Sequence, residues 1–246
     1  MTRTRGYSTA MDSRKPEGTL RRGWTTGACA AAAASAALRG LIGGRVPKRI
    51  TIELPRGQTP TFNLKMTRLA NGVAAASVIK DAGDDPDVTH GAEIIAKVRH
   101  GAPGAGVTFE AGVGVGTVTL PGLPLAVGEP AINPAPRQII THNLTQIAKS
   151  QNVDADVVVQ ISIPGGEALA ERTMNGRLGI RGGLSVLGTT GIVIPFSCAS
   201  WINSIHRGID VARASGINHI AAATGSTSEA AVRDKYGLAD TALIDM

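Results

Sequence analysis

The chain has little aromatic side chain: two Trp, two Tyr and three Phe in 246 residues. Single-strand nucleic-acid binding relies on aromatic platforms under successive bases, so this scarcity argues against it. Cysteine is scarcer still. Cys29 and Cys198 are too few and too far apart for a disulfide framework or a zinc site, and a reduced, cytoplasmic setting is the simplest expectation. The N-terminus lacks the apolar core of a secretory signal, and no uninterrupted apolar run reaches the length that spans a membrane. Acidic residues are outnumbered, giving a formal charge of +6 and a pI near 9.7. Seven basic residues (Arg3, Arg5, Arg14, Lys15, Arg21, Arg22 and Arg39) precede residue 40 and no run of Lys and Arg follows, a distribution that also argues against nucleic acid.

Glycine and alanine are abundant. With 43% hydrophobic residues the chain can bury a sizeable core, built from aliphatic side chains and closely approached backbone rather than stacked rings. Residues 1–18 are polar and are expected to be a flexible tail. Thr25 or Thr26 then caps a predicted helix, Ala28 to Arg39, that is nearly all alanine. From Arg49 the period changes to two: Ile50, Ile52 and Leu54 alternate, as do Phe62, Leu64 and Met66, and Asn71-Gly72 is a hairpin turn into Val73–Ile79. Strands are also expected at Ile94–Arg99, Val107–Ala111 and Val115–Leu120, with an irregular, proline-stiffened segment from Pro121 to Arg137 and a short helix after it.

Around Gln151 the pattern changes. Val157–Ile163 is an apolar run of the kind buried on both faces, and it leads through Pro164-Gly165-Gly166 into a helix. Pro195 opens another helix, His219–Ala223 reads as a strand and Thr227–Tyr236 as a helix. The fold class expected is α/β in an α+β arrangement: a mainly antiparallel sheet with helices over residues 19–150, then a smaller α/β part with parallel strands over residues 151–246.

The segment Lys80 to Gly91 reads K-D-A-G-D-D-P-D-V-T-H-G. Asp bonds to nearby backbone, Gly83 and Gly91 admit positive φ and Pro86 fixes its own, so this is a shaped loop carrying clustered acid. It is either a solvated turn between strands or a site; as a site it should border the main cleft. Its spacing fits no EF-hand. Gly112-Val113-Gly114-Val115-Gly116 imitates a Rossmann glycine loop but runs into a strand rather than a helix. Thr25-Thr26-Gly27, Thr189-Thr190-Gly191 and Thr224-Gly225-Ser226 offer hydroxyls and N–H groups near helix starts. Each is consistent with ordinary capping, and none is followed by the Lys of a P-loop.

Taken in order, G-W-T-T-G-A-C-A-A-A-A-A-S-A-A, the Lys80–Gly91 loop, G-V-G-V-G-T-V-T-L-P-G-L, G-E-P-A-I-N-P-A-P-R and G-G-L-S-V-L-G-T-T-G-I-V resemble the CbiD family, the cobalt-precorrin-5B C1-methyltransferases of cobalamin biosynthesis. The resemblance implies transfer of a methyl group from S-adenosylmethionine to carbon 1 of a cobalt-containing tetrapyrrole, giving cobalt-precorrin-6A. Cobalt then belongs to the substrate, and no protein-bound metal is expected. Positioning dominates such a transfer. A group that accepts a ring N–H proton would assist it, and Asp81, Asp84, Asp85, His90 and Glu129 are the candidates. Thr25, Thr26, Asn133 and Arg137 are candidates for holding the macrocycle, Arg137 by forking onto a carboxylate; for Glu129, Asn133 and Arg137 a salt bridge or turn contact is the alternative. Thr189, Thr190, Gly191, Thr224, Gly225 and Ser226 are candidates for the adenosylmethionine pocket. A homo-oligomer is compatible with all of this, and a non-catalytic carrier of an anionic tetrapyrrole is the alternative.

Overall fold

The computed structural model describes residues 18–246, so the tail expected over 1–18 lies, apart from Gly18, outside the described residues. A two-residue strand, β1 (Gly23–Trp24), leads into helix α1 (Thr26–Gly43). Thr25 is the cap, its hydroxyl accepting the Ala28 N–H at 3.2 Å, and Gly44 ends the helix in the left-handed region at φ 75°. Ala28, Ala30–Ala34, Ala36 and Ala37 are fully buried. A helix of methyl groups lets its axis come close to neighbours on every side, and α1 is the central core element.

Two short strands, β2 (Arg49–Thr51) and β3 (Thr61–Asn63), pair antiparallel. The hairpin β4 (Met66–Ala70) and β5 (Val73–Ile79) follows, turning through Asn71 at φ 51° and Gly72 at φ 73°. These are the two positive φ values that a type I′ turn needs. Then come β6 (Glu93–His100), β7 (Val107–Ala111) and β8 (Thr117–Val118). Helix α2 (Pro134–Ser150) begins inside the segment expected to be irregular, because Pro134 and Pro136 fall in its first turn, where a missing N–H costs nothing.

Strand β9 (Val157–Ser162) joins the same sheet as the earlier strands, whose order is β4-β5-β6-β9-β7. It runs antiparallel to β6 and parallel to β7. The sheet therefore crosses the boundary expected at residues 150/151. The apolar run of β9 announces a central strand but not whose neighbour it is. Helix α1 packs on β4, β5 and β6 and beside α2, which reaches β7. By length and composition α1 matches a membrane span, yet 78% of it is buried inside this core.

Helix α3 (Gly166–Ala170), β10 (Ile180–Arg181) and β11 (Ile192–Val193) complete the body. β10 pairs antiparallel with β8, and β11 with β1. Helix α4 (Cys198–Ala214), β12 (Ala221–Ala223), α5 (Ser226–Tyr236) and β13 (Leu243–Asp245) form a terminal α/β layer in which β12 and β13 are parallel. Arg177 fastens it to the body by forking onto Glu229 at 2.6 and 2.7 Å. The mixed α/β class is as expected; parallel pairing occurs at β7–β9, at β12–β13 and at the isolated bridges of Leu184 to Val115 and Val186 to Ile132, while β10 and β11 pair antiparallel.

Candidate functional site

The Lys80–Gly91 loop joins β5 to β6, and its acids are spent on shaping it and on holding two other segments. Lys80, 1% exposed, donates to Asp87, which also accepts the Thr89 N–H at 2.7 Å and its hydroxyl at 2.5 Å. Burial by itself would raise the Asp87 carboxyl; the Lys80 charge and the bonds from Lys80 and Thr89 outweigh it and hold the group below its ordinary value. His90 accepts the Ala82 N–H on Nδ1 at 3.1 Å. That nitrogen is therefore unprotonated, and the proton sits on Nε2. The 3.9 Å approach of Nδ1 to Asp81 is then no ion pair, since both atoms are acceptors.

Across this loop lies a strap, Arg21–Trp24. Arg21 forks onto Asp81 at 2.5 and 2.9 Å, and its backbone N–H donates to Asp84 Oδ2 at 2.6 Å. Asp84 N–H returns a bond to Arg21 O at 3.0 Å, and Trp24 N–H donates to Asp81 O at 2.7 Å. A Cβ on Gly23 would overlap the backbone of Ala82, and one on Gly83 (φ 69°) the carbonyl of Arg21. Both glycines are there because two backbones touch. The Arg21 hydrogen bond, with the Gly83 N–H behind it, lowers the Asp81 carboxyl to about 2. Beneath, burial pushes the Cys29 thiol up to about 12, although Lys80 pulls the other way, so the thiol is inert.

Further segments converge here. Asp85 Oδ1 accepts the Phe196 N–H at 2.9 Å, where Phe196 has φ 55°, a rare value for a bulky residue. Thr25 N–H donates to Gly191 O at 3.0 Å and Gly27 N–H to Leu187 O at 2.9 Å. The first and second Thr-Gly turns are thus brought together. The Thr25 hydroxyl is used as a cap and Thr26 is buried, 6% exposed, so neither presents a free hydroxyl. Thr190 Oγ1 turns back on Ile192 at 3.3 Å, and a Cβ on Gly191 would stand 2.5 Å from Leu54. Thr189–Gly191 follows Leu184 and Val186, which make isolated parallel bridges to Val115 and Ile132, and precedes β11, which is antiparallel to β1. Thr224–Ser226 does lie there, between β12 and α5; Gly225 has φ 114° and open space where a Cβ would stand.

The proline-rich candidates form a separate arrangement. Arg137 pairs with Glu129 at 2.8 Å, donates to Ile132 O at 2.7 Å and Pro130 O at 3.2 Å, and lies over Phe109, 5.4 Å from the ring centre. Its guanidinium thus pins the approach to α2. Asn133 is the α2 cap residue without a side-chain cap bond, and its N–H donates to Val186 O at 3.1 Å.

Two shallow grooves flank this region. One of about 380 Å³ is bordered by Trp24, Phe62, Lys65, Ile79 and Asp81. The other, about 400 Å³, runs between Gly44–Lys48 and Thr67–Leu69 and touches none of the loop. Of the acidic loop, Asp81 alone reaches either groove. Sequence reading missed Arg21, Trp24, Lys80 and Asp87. A lone Lys ending the apolar strand V-A-A-A-S-V-I-K was a signal for a buried, paired amine; Arg21, 60 residues from Asp81, gave none.

The fold and site define a mixed α/β protein in which an N-terminal strap closes over an acidic strand-to-strand loop. The chain belongs to the CbiD family, whose model matches residues 13–195. It is 59% identical over 93% of its length to the cobalt-precorrin-5B C(1)-methyltransferase of Methylorubrum extorquens and 59% identical over 94% to that of Paramagnetospirillum magneticum. It spans 63% and 64% of those two proteins. The crystal structure of a cobalamin biosynthesis protein (cbiD) from Archaeoglobus fulgidus superposes with a TM-score of 0.57 at 30% identity, covering 92% of this chain and 71% of that one.

Proposed function

We propose that the chain methylates carbon 1 of cobalt-precorrin-5B, giving cobalt-precorrin-6A in cobalamin biosynthesis, with S-adenosylmethionine as donor and in the cytoplasm. The observation that carries this reading is the 59% identity, over 93% of the chain, to a protein named for that reaction. Adenosylmethionine supplies an electrophilic sulfonium methyl group when bound. The residues at Thr224–Ser226 fit it: they follow β12, their glycine has open space where a Cβ would stand, and no side chain caps the first turn of α5. Thr189–Gly191 is assigned instead to supporting α1, since contact with Leu54 accounts for its glycine.

On the macrocycle side, the geometry favours His90 as the group that exchanges a proton, through Nε2, which makes no hydrogen bond among the described residues on a half-exposed ring. Asp84 and Asp85 each keep one oxygen beyond the backbone N–H they hold and balance charge developing nearby. Asp81 has both oxygens on Arg21 and positions the strap. Glu129 and Arg137 brace α2. The test is transfer of labelled methyl from adenosylmethionine to cobalt-precorrin-5B by this chain, with a full-length relative as positive control. Macrocycle binding with no adenosylmethionine binding and no transfer would overturn the reading in favour of a carrier.

A further inference from the structure

One stretch of the chain is strongly basic. Between residues 31 and 79 there are seven basic residues that are exposed and one acid, Glu53, which pairs with His142. The balance there is +6, against −4 over residues 80–246. Three of the seven, Arg45, Lys48 and Arg68, line the 400 Å³ groove between the end of α1 and the edge strand β4. Among the described residues none of the three has a carboxylate within 4.0 Å. A concave surface of one sign focuses the field on whatever enters it, and arginine forks match carboxylates.

The second groove adjoins this one. Lys48 O accepts the Leu64 N–H at 2.9 Å, and Lys48 lines the first groove while Leu64 and Lys65 line the second. The second groove is apolar along Trp24, Phe62, Leu64, Val78 and Ile79, with the Trp24 and Phe62 ring centres 5.3 Å apart. Its single acid, Asp81, is neutralised by Arg21. An apolar floor beside a rim of unpaired cations suits a ligand with a broad apolar body and several anionic arms. We propose that the two grooves form one binding site for a polycarboxylate tetrapyrrole, its ring on Trp24 and Ile79 and its carboxylates on Lys65, Lys48, Arg45 and Arg68. The site meets the acidic loop at Asp81, whose Oδ1 lies 3.9 Å from Nδ1 of His90, so it adjoins the residue assigned to proton exchange; it rests on the proposed reaction for its natural ligand.

The test is fluorescence titration of the 246-residue chain with an octacarboxylate porphyrin and with a tetracationic porphyrin of similar size. Binding of the first and not the second is expected. The triple variant Arg45→Gln, Lys48→Gln, Arg68→Gln should bind about tenfold more weakly, as removal of three carboxylate-facing charges implies. A control triple at exposed sites that line neither groove, Arg172→Gln, Arg181→Gln, Arg213→Gln, should change affinity less than about twofold, because exposed charges that do not contact the ligand are screened by salt. No binding by the wild type, equal binding of the cationic porphyrin, or equal losses in both triples overturns the proposal. Methyl transfer with an unchanged KM in the groove triple removes the site while leaving the reaction in place. Groove-dependent porphyrin binding without methyl transfer does the reverse.

Discussion

Lys80 and Asp87, seven residues apart, form an ion pair at the base of the loop in which the ammonium is almost wholly buried and the carboxylate a quarter exposed. The amine sits at the end of β5, where Gly91 N–H bonds to the Lys80 carbonyl and Lys80 N–H to Ala92 O. The pair thus closes the loop on itself.

Asp87→Asn should destabilise the fold by about 3 kcal/mol, because it leaves a buried ammonium without its counter-charge. Adding Lys80→Met should recover part of that loss, since the double variant no longer buries a charge. Urea unfolding of the two singles and the double measures the coupling. Additive losses would show that the two side chains act independently.

The strap should carry its own acid sensitivity. Arg21 lowers Asp81 to about 2 from an ordinary value of 3.8. A carboxylate depressed in the folded state stabilises above its unfolded pKa and loses that contribution as pH falls through the folded one. Wild type should therefore exceed Arg21→Gln in stability at pH 6, with the gap closing between about pH 4 and pH 2. Asp81 is 45% exposed, so the gap should be small. A gap that persists unchanged at pH 2 would refute the assignment.

Much of this architecture is readable in the sequence because it follows from local rules. Thr25 caps an alanine helix by propensity, and Asn71-Gly72 turns a hairpin because those two residues accept positive φ. The membership of Val157–Ser162 in the main sheet is not local: an apolar run reports burial on both faces and says nothing of the partners β6 and β7 found 50 or more residues away. The acidic loop was legible as shaped, but what its carboxylates hold was not. Arg21 and Phe196 lie 63 and 111 residues from Asp84 and Asp85, and only the fold brings them together. For Arg137 the pairing with Glu129 is the salt bridge that the sequence leaves open, while its bonds to the Ile132 and Pro130 carbonyls leave no mark in a sequence.

Among the loop residues, His90→Gln should lower kcat for methyl transfer by about 100-fold, the lower range for general acid–base assistance, with little change in thermal unfolding. Asp84→Asn combined with Asp85→Asn keeps an acceptor oxygen for the N–H groups of Arg21 and Phe196 and should cost only about 1 kcal/mol of stability. Its kcat should fall less than that of His90→Gln. If the aspartate pair abolishes activity while His90→Gln leaves it intact, the proton-exchanging role belongs to the aspartates.

The two remaining Thr-Gly turns separate packing from ligand binding. Gly191→Ala places a methyl 2.5 Å from Leu54 at φ 82°, so it should destabilise the protein by about 1–2 kcal/mol through backbone strain and crowding. Adenosylmethionine affinity per folded molecule should be unchanged. Gly225→Val meets no protein atom within 4 Å, yet it fills the space before the first amides of α5. It should lower adenosylmethionine affinity per folded molecule at least tenfold in calorimetry, and it should also cost about 3 kcal/mol of stability, since φ 114° with ψ 161° is a conformation essentially confined to glycine. Unaltered affinity in Gly225→Val, with loss in Gly191→Ala, would move the donor site from the end of β12 to the turn beside α1.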